Sequence, residues 1–212
     1  MVKKLIIIGT GNQAKVIFSI LNNEKIELIG FFKLEKKNTT ILKNKKYRIF
    51  KNFSEIDKNN FKNIYFIAGI GNNNFREKTV ELFNKNLKNI NWYTAISNKA
   101  IISKKVNIGK GTVIMPGCII NNNTKIGNHC IINTRSIIEH DNTFGNFSST
   151  GPGVITGGNV RVGKKSFLGM ASVIKNNVKI GYNTIIGAKS LVLKNCKSNS
   201  KYFGSPAKKY KI

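Results

Sequence analysis

Residues 107–132 read NIGKGTVIMPGCIINNNTKIGNHCII, and an aliphatic side chain recurs at every sixth place: Ile108, Ile114, Ile120, Ile126 and Ile132. The count continues without an insertion through Ile138, Phe144, Thr150, Thr156, Val162, Leu168, Ile174, Ile180 and Ile186 to Val192, so that thirteen of fifteen steps are apolar. Two residues earlier in each step, from Val106, Thr112 and Cys118 to Thr184 and Ser190, the side chain is small or β-branched everywhere except at Asn142. A helix repeats at 3.6 residues and an alternating strand at 2, so neither generates this register. Short strands that turn a corner every six residues do, and the expectation is a parallel β-helix of hexapeptide repeats.

A second period lies on top of the first. Gly109, Gly127, Gly145, Gly163 and Gly181 recur at every third hexad. Three hexads per coil stack these glycines at one corner, where the chain needs unusual backbone angles or close approach. Five coils at a strand spacing of about 4.8 Å give a prism roughly 24 Å tall.

The first ninety residues follow another pattern. Lys4–Ile8 reads as an apolar strand, followed by the turn Gly9-Thr10-Gly11-Asn12-Gln13 and a helical pattern over Ala14–Leu21. Ile26–Phe32 and Asn63–Ala68 read as further strands, the second ending in Gly69-Ile70-Gly71-Asn72-Asn73 and leading into helical spacing over Phe75–Leu87, with Phe75, Val80, Leu82, Phe83 and Leu87 apolar. Alternating strand and helix argues for a small parallel α/β sheet of Rossmann-like type. The Lys-rich stretch Lys33–Lys46 reads as a solvated connection. A glycine turn after the first strand suits phosphate at a helix N-terminus. The acid that would hold a ribose should stand at the end of strand two, where the chain has Phe31-Phe32-Lys33-Leu34-Glu35; this argues against NAD and leaves a nucleotide diphosphate open. The expected organisation is a Rossmann-like domain over 1–92, a β-helix over 93–196 and a C-terminal tail over 197–212.

Composition narrows the setting. The 212 residues carry 36 basic and 9 acidic side chains, a net charge of +27. Only Arg48, Arg76, Arg135 and Arg161 are arginine, and the abundance of Lys, Asn and Ile together reads first as codon bias. A small polyanionic ligand is the second reading and long nucleic acid the third. No apolar run reaches the roughly 20 residues of a membrane span, and the four apolar residues before Gly9 are too few for a secretory segment. Three cysteines make no paired framework, which points to a reducing cytoplasm.

The acids supply the sharpest local signal. From Leu82 to Ile212 only Glu139 and Asp141 are carboxylic side chains, and they flank His140. Nearby cations weaken an imidazole as a base; an adjacent carboxylate does the reverse and fixes the ring tautomer. Two places after inward-pointing Ile138, His140 belongs on the outside of the prism. His129 also faces outward but lies between Asn128 and Cys130 and reads as structural. Two histidines cannot build a three-His metal site, so no metal is expected. Cys118 and Cys130 fall on inward positions and read as core.

Two short motifs carry a resemblance. The sequence GSPAK at Gly204–Lys208 is similar to the G-x-P-A-K tail of left-handed β-helix acyltransferases, and GIGNNNFR at Gly69–Arg76 is similar to a G-N-N-x-x-R stretch. Over its whole length the chain resembles the hexapeptide-repeat sugar acyltransferases, which include the bacillosamine- and perosamine-type N-acetyltransferases and the sialic acid O-acetyltransferases. The resemblance implies a left-handed coil, a nucleotide-linked sugar on the N-terminal domain, and acetyl-CoA along the β-helix between subunits of a homotrimer. Carried onto Ile137-Ile138-Glu139-His140-Asp141, it makes His140 the general base and Asp141 the group that orients it, with the N–H of Gly158 as oxyanion donor. It gives Gly11, Asn12, Gln13, Lys33 and Gly71 to the sugar nucleotide and Ser149, Met170 and Ala188 to the coenzyme. Gln13 and Ser149 stand where the bacillosamine-type enzymes have histidines, and Lys33 and Leu34 where they have acids. The implied activity is acetyl-CoA-dependent N-acetylation of a nucleotide-linked amino sugar. Its rivals are O-acetylation of a sugar acid such as sialic acid and, in another class, a non-catalytic basic scaffold or nucleic-acid-binding protein, against which stands the absence of aromatic stacking motifs.

Overall fold

The computed structural model describes residues 2–21, 26–34, 47–56 and 61–210. The expected connection Lys33–Lys46 lies, from residue 35 on, outside the described residues. The chain divides into two compact units, Met1–Ala95 and Ile96–Ile212.

The first unit is a five-stranded parallel sheet. Its elements are β1 (Lys3–Ile8), α1 (Asn12–Ser19), β2 (Ile26–Phe32), β3 (Arg48–Phe50), β4 (Ile64–Ala68), α2 (Asn73–Asn86) and β5 (Asn91–Trp92), and the strand order is β3-β2-β1-β4-β5. Leu5 to Ile8 are all fully buried, as expected of a central parallel strand covered on both faces. Strands β3 and β5 are too short to leave a periodic signal and are additions to the expected three. α2 buries Arg76, Thr79, Val80 and Phe83, whereas Phe75 and Leu82, expected on its apolar face, are 42 % and 46 % exposed. The buried face follows the spacing 76, 79/80, 83, and residues 75 and 82 lie one helical step, about 100°, away from it. Phe83 closes the core by edge-on contact with Phe32 and Phe53, each at 4.8 Å between ring centroids.

In the second unit every hexad forms a two-residue strand and a four-residue turn, from Ile101–Ile102 to Leu191–Val192. Each strand pairs in parallel with the strand three hexads on, so the strands stack into three sheets. The residues expected inside are inside: Ile114, Ile120, Ile132, Ile138, Leu168 and Ile186 are fully buried, and Thr150 and Thr156 are buried in the same column. The three faces differ in what they turn outward. The first presents the register Ile101, Ile119, Ile137, Ile155, Val173 and Leu191. The second presents Asn107, Lys125, Thr143, Arg161 and Lys179. The third has Val113, Ile131, Ser149, Phe167 and Ile185 in this register, the first three of them buried.

The glycines at every third hexad serve close approach. A Cβ on Gly163 would lie 2.6 Å from the Gly181 carbonyl carbon in the next coil. Left-handed backbone occurs two residues later, where every sixth residue from Gly111 to Lys189 has φ between +50° and +71°. Most of these residues are not glycine, and they include His129, Asp141, Phe147 and Ala171.

The last coil is closed by the chain beyond it. Lys201–Phe203 adds in parallel beside Ile185–Ile186, and Lys208–Lys209 then pairs with it in antiparallel fashion. The N–H of Leu191 donates to the Gly204 carbonyl at 3.0 Å and that of Ala207 to the Leu191 carbonyl at 2.8 Å, while Cys196 bridges to Ile180.

These backbone demands separate two kinds of corner position. Gly163→Ala should lower unfolding free energy by roughly 1–3 kcal/mol through overpacking. Ala171→Gly, at φ +54°, should not destabilise, because glycine is free of the left-handed penalty of about 1–2 kcal/mol. Denaturant titration of both variants measures the contrast.

Candidate active site

One coil turn carries the histidine. Ile137 and Ile138 form the strand, and residues 139–142 turn the corner from the first face to the second. Turning at this corner requires left-handed backbone at Asp141, with φ +60°. This points the carboxylate back along the outside, where Asp141 Oδ2 lies 2.7 Å from His140 Nδ1. Both side chains are open to solvent, at 61 % and 48 % exposure. The His140 bond, followed by one with the Asn123 side chain, holds the Asp141 carboxyl below the usual carboxylate range. Asp141 therefore stays an anion, Nδ1 is the nitrogen that carries the ring proton, and Nε2 is left as the acceptor. Glu139 points elsewhere: its Oε2 accepts from Asn121 Nδ2 at 3.0 Å.

One coil on, Gly158 occupies the place equivalent to His140. A Cβ there would fall 2.7 Å from Nε2 and 2.6 Å from Cε1 of the imidazole, so only glycine leaves the ring edge clear. The Gly158 carbonyl accepts from the Asn177 N–H at 3.0 Å, while its own N–H donates to no group among the described residues. Beside Asp141 a groove of about 530 Å³ opens on the second face, lined by Lys105, Asn107, Asn123, Lys125, Asp141 and Thr143. Two ammonium groups and one carboxylate face it, a setting suited to an anionic ligand.

The positions assigned to the coenzyme fall on the third face and the corner that follows it. Met170 and Ala188 are exposed and share a corner column between the third and first faces, one corner away from His140. Ser149 is buried at 2 % exposure in a third-face strand. His129, expected to face outward, occupies an outward corner position yet is buried at 3 % exposure, with its ring stacked on Phe147 at 5.1 Å. The cysteines are buried, and burial pushes the Cys118 and Cys196 thiols up to about 11, which leaves no thiolate at neutral pH. Among the described residues no cluster of three or more metal-ligating side chains occurs, and no helix is long and apolar enough to cross a membrane.

The second site belongs to the first unit. Gly9, Thr10, Gly11, Asn12 and Gln13 after β1 and Gly69 to Asn72 after β4 line a cleft of about 270 Å³ at the carboxyl ends of the two strands. In the order β3-β2-β1-β4-β5 the chain direction switches between β1 and β4, which is where open α/β sheets bind ligands. Gly9 has φ +99°. A Cβ on Gly69 would lie 2.8 Å from that of Ala14, so glycine is what allows α1 to pack against the strand end. Lys33 is not among the lining residues; Leu34 takes that edge, because neighbours on extended backbone point to opposite sides. Sequence reasoning also passed over the role of Arg76. Its buried guanidinium donates to the carbonyls of Ile70 at 2.9 Å and Gly71 at 3.0 Å and to Asn73 Oδ1 at 2.8 Å, which fixes the loop that forms the cleft wall. The signal was its place four residues after the helix cap Asn72.

Comparison with known proteins agrees with both units. Residues 4–83 match the PglD N-terminal domain family. No curated protein sequence matches the chain. PerB from Caulobacter crescentus, in complex with CoA and GDP-perosamine, superposes with a TM-score of 0.88 at 26 % identity, over 100 % of this chain and 99 % of that one. A variant of GDP-perosamine N-acetyltransferase from the same organism, with the same ligands, gives 0.88 at 25 % identity and the same coverage. The acetyltransferase domain of PglB from Neisseria gonorrhoeae with acetyl coenzyme A has the same fold, with a TM-score of 0.88 at 20 % identity over 99 % of this chain and 100 % of that one. The coil of these relatives is left-handed, and so is the coil here. The match to the PglD N-terminal domain thus covers the first unit, and over its whole length the chain has the fold of these hexapeptide-repeat N-acetyltransferases.

Proposed function

We propose that the chain is an acetyl-CoA-dependent N-acetyltransferase acting on a nucleotide-linked amino sugar. The observation that carries this reading is the His140–Asp141 pair, 2.7 Å apart, with Gly158 one coil away against the imidazole edge. The whole-length likeness at 25–26 % identity to proteins solved with CoA and GDP-perosamine supports the substrate classes. Both substrates are supplied in the cytoplasm, which is where the reaction would run.

The chemistry follows from the atoms present. The sugar amine attacks the thioester carbonyl carbon and gives its proton to His140 Nε2. Asp141 keeps the ring in the tautomer that leaves Nε2 open and stabilises the imidazolium that forms. The N–H of Gly158 donates to the oxyanion of the tetrahedral intermediate. Collapse breaks the carbon–sulfur bond, and the departing thiolate takes the proton from the imidazolium. The Gly11, Asn12, Gln13 and Gly71 cleft holds the nucleotide.

The functional unit in this reading is a homotrimer. The first face turns six aliphatic side chains outward, with Ile101 66 %, Ile155 40 % and Val173 40 % exposed. It ends at the His140 corner on one side and at the Met170 and Ala188 corner on the other. Packing these faces around a threefold axis covers the stripe and brings one subunit's coenzyme corner toward its neighbour's base.

Three outcomes are expected. His140→Ala should lower kcat by about 10²–10⁴ with donor binding intact, and Asp141→Asn should cost less. Thiol release from acetyl-CoA reads both. Retention of more than about a tenth of kcat in His140→Ala would end the mechanism. Gly71→Phe should raise the acceptor KM severalfold and leave the donor KM unchanged. Gly71→Ala should be silent, because a Cβ there meets only Gln13 Oε1 at 3.9 Å. Finally, sedimentation should give three chains per particle, and Ile155→Glu should yield inactive monomer; a fully active wild-type monomer would exclude the shared site.

A further inference from the structure

Asn142 breaks the rule that its column holds small or β-branched side chains, and it is fully buried. At Thr112 and Ser166 in the same column a hydroxyl links neighbouring coils. Thr112 Oγ1 donates to the Gly127 carbonyl at 2.8 Å and accepts from the Cys130 N–H at 3.0 Å. Ser166 Oγ does the same with Gly181 at 2.6 Å and Thr184 at 2.9 Å. Asn142 reproduces both bonds. Its Nδ2 donates to the Gly157 carbonyl at 2.9 Å, and its Oδ1 accepts from the Val160 N–H at 3.2 Å.

An amide nitrogen has two protons where a hydroxyl has one. The extra capacity goes back to the same corner, to the Glu139 carbonyl at 2.6 Å and the His140 carbonyl at 3.3 Å. One buried side chain therefore ties the peptide units that carry His140 to the coil that carries Gly158.

We infer that Asn142 is a positioning residue for the proposed acetyl transfer: its amide clasps the 139–142 corner from inside and holds His140 at its distance from Gly158. The inference rests on the function proposed above and goes beyond it. The amide makes no contact with the imidazole and acts only through the backbone. A hydroxyl at this position keeps the bonds between coils and loses the clasp.

Asn142→Ser and Asn142→Thr put into the column the residue types that it tolerates elsewhere, so both variants should fold with an unfolding midpoint within about 2 °C of wild type. With acetyl-CoA and the amino-sugar acceptor, kcat should fall about tenfold while both KM values stay within about twofold, as expected when only the catalytic geometry is disturbed. Hydrogen exchange on the substrate-free protein gives a second readout. The Asp141 amide, which donates to the Asn122 carbonyl at 3.0 Å, should exchange about tenfold faster, and the Lys165 amide, bonded to Asn146 at 3.0 Å in another corner, should not change. Unchanged kcat in an active enzyme, unchanged exchange at Asp141, or exchange that rises equally at Lys165 would each overturn the inference. A wild-type protein that transfers no acetyl group would count against the proposed function, and the exchange result would still decide whether Asn142 holds the corner.

Discussion

A two-residue strand has almost no local means of support. Each one in the second unit is held by hydrogen bonds to the strands one coil before and one coil after it, so the chain must return to the same place at every third hexad. Everything else in the unit depends on that return. It stacks the aliphatic column inside, and it makes neighbours of residues remote in sequence: His140 and Gly158, Asn123 and Asp141, His129 and Phe147. A single inserted residue would send every later inward side chain outward. The uninterrupted count from Ile108 to Val192 is the sequence trace of this requirement.

That trace explains what could be read in advance. A periodic demand leaves a periodic record, so the coil, its inner column and the outward placement of His140 were legible. The His140–Asp141 pair was legible for a different reason: in a stretch nearly free of acids, two carboxylates beside one histidine stand out. The features that escaped leave no such record in residue type. The glycines of every third hexad pointed to a corner, but only backbone angles show that left-handed φ falls two residues later, on residues such as Asp141 and Phe147. The departure at Asn142 was visible, while its meaning depended on which carbonyls lay within reach. In the first unit β3 and β5, of three and two residues, are too short to be periodic. Phe75 and Leu82 misled because apolar character in a helix does not state which way it faces.

Charge and its placement make a related point. The chain carries 36 basic residues against 9 acidic ones. The two acids of the β-helix stand at one corner, and both are engaged by neutral partners, Glu139 by Asn121 and Asp141 by His140 and Asn123. The hydrogen bond with His140, and after it the one with Asn123 one coil back, hold the Asp141 carboxyl below the usual carboxylate range. In the same corner column, Asn159 Nδ2 donates to Asn177 Oδ1 at 2.8 Å, so Asp141 sits in a run of amides.

A β-helix has no natural end, because its last coil presents the same unpaired backbone that its earlier coils use to recruit the next. Here the closing segment meets the first and third sheets and bridges to the second, and its final strand runs antiparallel. Reversal of direction leaves the third sheet without a parallel edge on which another coil could continue the stack. The tail thus covers the edge on which a further coil would stack. A chain cut after Val192 would offer adhesive ends, and prisms could then join head to tail into fibres.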